Sequence, residues 1–143
     1  QIIRSFTDID NKKFIFNYDQ DFNNNKINKS IEIVYGLRNF IGNANKFSRS
    51  TIHINLKSDS EITEITIEDD GNGYPKDILP KIGEPYLSTN NSQEKSKTGL
   101  GLGLFIGKNL LEKNFASIVC RNSKTRSGAE VIIKWSNRDL FNI

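Results

Sequence analysis

Four short stretches of this chain carry residue types and spacings that could do chemistry. Asn39, Asn43 and Lys46 are spaced four and three apart. On a helix, at about 100° per residue, they fall within about 60° of one another, on one stripe. An Asn carbonyl oxygen suits Mg2+, a hard cation that keeps most of its waters. A Lys beside it would neutralise phosphate oxygens. In isolation, the same stripe is the solvated face of any amphipathic helix. Asp69-Asp70-Gly71-Asn72-Gly73 follows an apolar run. Its carboxylates could accept a hydrogen bond from an exocyclic amine, and its glycines let backbone approach a flat ligand. In isolation it is an Asp-Gly turn.

The third stretch is Gly99-Leu100-Gly101-Leu102-Gly103-Leu104. Each glycine costs a helix roughly 1 kcal/mol against Ala. Free N–H groups at a helix N-terminus, with the dipole behind them, bind phosphate. The spacing is not that of a Walker loop: Gly107-Lys108 is followed by Asn109. It is not the dinucleotide fingerprint either, because Leu104 stands where the third glycine is required. The fourth stretch runs from Glu84-Pro85-Tyr86-Leu87-Ser88-Thr89 through a polar segment to Thr98. Directly before the glycines, it reads as a surface loop or as a lid that closes over a ligand.

Regular elements must position these residues. A strand is expected over 13–18, where aromatic and branched residues cluster. A helix is expected over 30–47, capped by Ser30, with Val34, Leu37, Ile41 and Ala44 as its apolar stripe opposite the polar one. Strands over 51–57 and 62–68 form a pair, and a short helix over 76–82 follows Pro75. A helix over 101–114 and strands over 116–121 and 129–135 complete the chain. The order β, α, β, β, short α, α, β, β favours an α/β two-layer sandwich, one mixed β-sheet with helices on one face. Residues 1–11 read as a linker or the end of a preceding helix, and residues 12–143 as a single domain.

Composition narrows the function classes. The chain has 143 residues, the size of one domain with a proper core. Lys and Arg number 20 against 17 Asp and Glu, a net charge of +3 that points to no nucleic-acid partner. One Cys and one His leave neither a disulfide framework nor a zinc site of these ligand types. No apolar run approaches the roughly 18 residues of a membrane span, so no direct membrane contact is expected of this chain. The first residue is Gln1 and Met is absent, which suggests a piece of a longer protein. The chain holds 18 Asn, so an Asn motif alone arises more easily by chance.

The four stretches occur in one order, and together they resemble the catalytic ATP-binding domain of bacterial sensor histidine kinases, in the GHKL superfamily. Asn39-Phe40-Ile41-Gly42-Asn43-Ala44-Asn45-Lys46-Phe47 resembles the N box, and Asp69 to Gly73 the G1 box. Gly99 to Leu104, continued by Phe105-Ile106, resembles the G2 box. Ser127-Gly128-Ala129-Glu130-Val131 sits where the last glycine-containing box belongs. Gly83-Glu84-Pro85-Tyr86 together with the 101–106 segment is most similar to RegB-type redox-responsive kinases.

The resemblance implies a Bergerat-type site for ATP and Mg2+. Asp69 would accept from the adenine amino group, with Gly71 and Gly73 shaping the pocket. Asn43 would be the metal ligand, and Asn39, Asn43 and Lys46 would be the catalytic residues on the phosphate side. Leu87, Ser88 and Thr89 of the lid, with Gly99, Leu100, Gly101, Leu102, Gly103 and Leu104, would complete the ATP-binding set. Two departures stand out: Ala129 and Glu130 replace hydroxyl residues common in the family, and the lid has no arginine. His53 lacks the context of the family's phosphoacceptor, so the acceptor histidine is expected on a separate dimerisation helical domain. That domain would relay phosphate to a response regulator, within a homodimeric protein. The localisation implied is the cytoplasmic part of a bacterial inner-membrane sensor. Three alternatives remain at this stage. Hydrolysing relatives place a Glu where Asn39 stands. A degenerate domain would only hold a partner. A serine kinase of the anti-sigma type is the third. Cys120 is expected in the core.

Overall fold

In the computed structural model, residues 12–18, 30–82 and 100–140 are described. Five strands form one sheet: β1 (Lys13–Tyr18), β2 (Thr51–Ser58), β3 (Ile62–Asp69), β4 (Ser117–Asn122) and β5 (Ala129–Ser136). The sheet order is β1-β2-β3-β5-β4. β1 and β2 are parallel and every other pair is antiparallel, so the sheet is mixed as expected. Helices α1 (Ile31–Phe47) and α2 (Leu100–Lys113) pack on one face, the architecture of a Bergerat fold.

Alternation decides which strand residues meet the helices. Phe16, Ile54, Ile67, Val131 and Cys120 lie in register across the sheet, and Leu56, Ile65, Ile133 and Ile118 form the next row. These rows belong to the core, with Cys120 packed against its edge as expected. Ile52, Ile54, Ile67 and Ile133 are fully enclosed. Each contributes about 1.5–3 kcal/mol of burial. The opposite face carries the polar alternates, and there His53, Glu68, Glu130 and Arg121 form one cross-strand row.

Ser30 caps α1 by accepting the Ile33 N–H at 3.4 Å. Glu32 in the first turn and Lys46 in the last match the helix dipole. The buried stripe is wider than Val34, Leu37, Ile41 and Ala44. It takes in Ile33, Gly36 and Phe40, while Val34 is half-buried. The reason is that α1 packs against both the sheet and α2. A β-carbon on Gly36 would lie 2.6 Å from Leu111 Cγ, and one on Gly107 would lie 3.0 Å from a Phe40 ring carbon and 3.2 Å from the Gly36 carbonyl oxygen. The two glycines let the helices approach.

Two elements differ from expectation. The short helix over 76–82 is reduced to a 3-10 turn at Leu79–Lys81, entered by bonds from Ile78 and Leu79 N–H to the Pro75 carbonyl. Pro80 has no N–H to propagate it. A short α3 (Asn137–Leu140) follows β5. Asn137 builds it: its side chain accepts from the Thr63 hydroxyl at 2.6 Å and donates to Asp59 O at 2.7 Å. Neither partner is near it in sequence, so no local pattern announces the element.

Candidate functional site

One cleft opens between α1, the start of α2 and the ends of β3 and β5. Its lining is mainly apolar: Phe40, Ala44, Phe47, Ile67, Tyr74, Leu104, Ala129 and Val131, with Gly73. Asn43 and Asp69 are its polar side chains. An apolar slot lined by two polar side chains suits a flat ring joined to a polar tail.

Asp69 is the last residue of β3 and is buried. Its Oδ1 accepts from Gly71 N–H at 2.8 Å and Ala129 N–H at 3.2 Å, and Oδ2 takes neither bond. Burial raises its pKa from the usual carboxylate value, opposed by those two bonds and assisted by the nearby charges of Asp70 and Glu68. Among the described residues, the arrangement holds a carboxylate with one oxygen committed and the other available to a donor.

The neighbouring Asp70 has a different task. Its carboxylate accepts from the N–H groups of Arg49, at 2.8 Å, Ser50, at 3.1 Å, and Thr51, at 3.2 Å, and from the Ser50 hydroxyl at 2.9 Å. Burial opposes its charge, but those bonds win and hold its pKa at about 2. Asp70 therefore ties the α1–β2 turn to the end of β3.

Gly71 is glycine because of packing rather than ligand access. A β-carbon there would lie 2.1 Å from the Phe47 carbonyl oxygen. Gly73 does line the cleft and has a positive φ of 75°, with Asn122 Oδ1 only 2.7 Å from where a β-carbon would sit. That backbone conformation favours glycine.

The polar stripe of α1 does not simply face solvent. Asn39 and Asn43 are both half-buried and converge on Gly103 in the first turn of α2. Asn39 Oδ1 lies 3.6 Å, and the two amide atoms of Asn43 lie 3.7 Å, from a β-carbon position on Gly103. Asn39 Nδ2 donates to Tyr35 O at 2.8 Å. Asn43 Nδ2 is buried with no hydrogen-bond partner among the described residues. An unmade bond of that kind costs roughly 1–3 kcal/mol, which a ligand would recover. Because α2 begins at Leu100, residues 100–103 are its first four, whose N–H groups have no partner within the helix.

Lys46 is exposed at the end of α1, its Nζ 5.4 Å from the Phe47 ring centroid. Leu104 is buried and is both cleft wall and core. Leu87, Ser88, Thr89 and Gly99 lie outside the described residues, as do the side chains of Leu100 and Leu102. His53 is half-buried on the sheet face away from the cleft, and burial is the main cause of its lowered pKa.

Sequence reasoning missed part of the wall. Phe47, Tyr74, Ala129 and Val131 line the cleft, and Gly128 packs on Asp69 with a β-carbon position 2.1 Å from its Oδ1. Gly128 carried a signal in its glycine-containing segment. Glu130, by contrast, turns to the other sheet face, where Arg121 pairs with it at 2.6 Å.

The site fits Mg2+ in a limited way. Among the described residues no group of three His, Cys, Asp or Glu could hold a metal. The Asn43 amide can offer one hard oxygen, and a cation here would take its other ligands from phosphate and water.

Comparison with known proteins agrees with this geometry. The chain is 40% identical over 97 residues to the sensor histidine kinase RegB of Cereibacter sphaeroides, covering 64% of this chain and 21% of that protein. It is 32% identical over 88 residues to sporulation kinase A of Bacillus subtilis, covering 62% of this chain and 13% of that protein. The chain thus spans about a fifth or less of these curated relatives. The fold matches the nucleotide-free catalytic domain of histidine kinase ThkA, with TM-score 0.69 at 21% identity, covering 94% of this chain and 83% of that one. It also matches full-length ShkA in complex with AMPPNP, with TM-score 0.72 at 18% identity, covering 94% of this chain and 29% of that one. The sequence pattern of the histidine kinase-, DNA gyrase B- and HSP90-like ATPases matches residues 28–139. With the match spanning most of the chain and the cleft in place, this protein belongs to that ATPase family.

Proposed function

We propose that this chain binds Mg-ATP and presents the γ-phosphate for transfer to a histidine on a separate dimerisation and phosphoacceptor helical domain, in two-component signal transduction. The observation that carries the reading is the pairing of Asp69 and Asn43 in one apolar cleft. Among the described residues, one offers a carboxylate oxygen that takes no hydrogen bond and the other a buried amide with an unmade bond.

In this mechanism Asp69 accepts from the adenine amino group while Gly73 and Tyr74 wall the ring. The first turn of α2, Leu100 to Gly103, directs its N–H groups and dipole toward the phosphates. Asn43 holds the cation, with Asn39 beside it and Lys46 adding positive charge on the phosphate side. Mg2+, when bound, supplies charge neutralisation on the phosphates. Such transfer asks the protein mainly for positioning and electrostatics. The acceptor imidazole attacks phosphorus and ADP leaves. Hydrolysis is slow because the Asn39 amide cannot act as a general base toward water.

The position of His53 on the far sheet face supports an acceptor outside this chain. The RegB matches support the finer assignment to that type of redox-responsive kinase. The full protein would be a homodimer that passes phosphate to a response regulator, with this domain on the cytoplasmic side of an inner membrane. No helix among the described residues is long and apolar enough to cross a membrane.

The test is calorimetric titration of Mg-ATP and Mg-ADP into the chain, beside Asp69→Asn. Binding by the parent that is lost in the variant supports the site. Addition of a phosphoacceptor helical domain should then yield acid-labile phosphohistidine. A folded parent that binds neither nucleotide overturns the proposal and leaves a partner-holding module.

A further inference from the structure

Asn122, the last residue of β4, does not line the cleft, yet it touches the loop that does. Its Oδ1 accepts from Tyr74 N–H at 2.6 Å and its Nδ2 donates to Tyr74 O at 3.0 Å. A single planar amide thus satisfies both backbone groups of one residue, as a paired strand residue would. Residues 72–75 belong to no strand or helix, so this side chain stands in for a strand partner. Two residues earlier on the same face of β4, Cys120 packs against the core to which Tyr74 belongs. One edge strand therefore grips Tyr74 at its backbone.

The hairpin that carries Asn122 is itself fastened. Arg126 pairs with Glu68 at 2.7 Å, Ser123 donates to Glu68, and the Ser127 hydroxyl donates to Asp70 O at 3.1 Å. The Gly73–Tyr74 wall is thus referenced to the same strand that ends in Asp69.

We propose that Asn122 is a positioning residue of the nucleotide site: its amide clamps Tyr74 and holds the Gly73–Tyr74 wall at the distance the adenine ring requires. The inference rests on the nucleotide reading above. Without the clamp, the wall would have to be ordered by the ligand at the ligand's expense.

Binding of Mg-ATP and Mg-ADP to the 143-residue chain is compared for the parent, Asn122→Ala and Asn122→Asp, with thermal melts of each. Asn122→Ala should weaken both nucleotides by the same factor, about tenfold, because the lost order is at the ring and not at the phosphates. Asn122→Asp provides the sharper readout. As a carboxylate it can accept from Tyr74 N–H but has no donor for Tyr74 O. When protonated it regains a donor and resembles the amide. Its affinity deficit relative to the parent should therefore shrink as the pH is lowered through the midpoint of the new carboxyl, followed by NMR on the same chain. A merely structural role predicts lowered melting temperatures with parent-like affinity while folded, or an Asp deficit independent of pH, and either result overturns the proposal. In the parent, the Tyr74 amide should be protected from hydrogen exchange before nucleotide is added. Free exchange there also overturns it, even if neither variant folds. A folded parent that binds no nucleotide overturns the nucleotide reading itself, and this inference with it.

Discussion

Gly128 sits against Asp69 so closely that a β-carbon on it would lie 2.1 Å from Asp69 Oδ1 and 2.2 Å from the Asp69 carbonyl oxygen. The contact seats the β5 end on the carboxylate and lets the Ala129 N–H reach Oδ1. Gly128→Ala must push the two apart. The expected outcome is a loss of about 1–3 kcal/mol in stability. Mg-ADP affinity should fall at least about tenfold, because Asp69 loses its Ala129 bond and its aim. Chemical denaturation and calorimetry on the same sample check both.

The two adjacent aspartates should separate cleanly on substitution. In Asp69→Asn the amide oxygen can still accept from Gly71 and Ala129, while an N–H replaces the acceptor meant for the adenine amine. Nucleotide binding should weaken about 100-fold, with a melting temperature equal to or above that of the parent. Asp70→Asn weakens the bonds to the α1–β2 turn. It should lower stability by about 1–2 kcal/mol, with solvent screening limiting the effect, and leave folded-state nucleotide affinity nearly unchanged.

The same pair gives opposite pH linkages. The pKa of Asp69 is raised in the folded state, so its ionisation costs stability. That contribution favours folding below the unfolded pKa and is lost as pH rises through the folded value. The pKa of Asp70 falls from 3.8 to about 2. Its stabilisation is present above 3.8 and is lost as pH falls toward 2. Carboxyl-detected NMR titration of the ligand-free chain should place the Asp69 midpoint above 3.8 and the Asp70 midpoint near 2.

Glycines of α1 should respond in opposite directions. A β-carbon on Gly36 meets Leu111 Cγ at 2.6 Å, so Gly36→Ala should cost about 1–3 kcal/mol despite its better helix propensity. Gly42 has nothing within 4 Å of a β-carbon position. Gly42→Ala should stabilise by about 0.5–1 kcal/mol. Thermal denaturation of both variants checks the sign.

Cys120 should be a poor redox sensor in the ligand-free fold. Burial pushes its thiol up to about 11, with only partial relief from the Tyr74 hydroxyl. Reaction with a disulfide reagent at pH 7.5 should be far slower than for the denatured chain, because the thiolate is scarce and shielded. Rapid labelling in the native state would contradict this environment.

Local pattern was enough for the five strands and the two long helices. The Ser30 cap, the alternation of β2, β3 and β5, and the helix after the glycines follow from short-range rules, since capping, pleat and helical period act within a few residues. The order of the Asn, Asp and Gly motifs, through the family resemblance, put Asn39, Asn43, Asp69 and Gly73 forward as candidates before any contact was known. Tertiary structure decided what no such rule reaches. Only the approach of β5 distinguishes Asp69, with one oxygen bound by Ala129, from Asp70, which binds the α1–β2 turn. Only the packing of α1 on α2 explains Gly36 and Gly107 and leaves Asn43 Nδ2 buried without a partner among the described residues. Asn122 reads as one of 18 asparagines until the fold brings it to Tyr74, 48 residues away. Residue type sets which bonds a side chain can make, but the partner for a buried amide or carboxylate is chosen by whatever backbone the distant chain delivers to it.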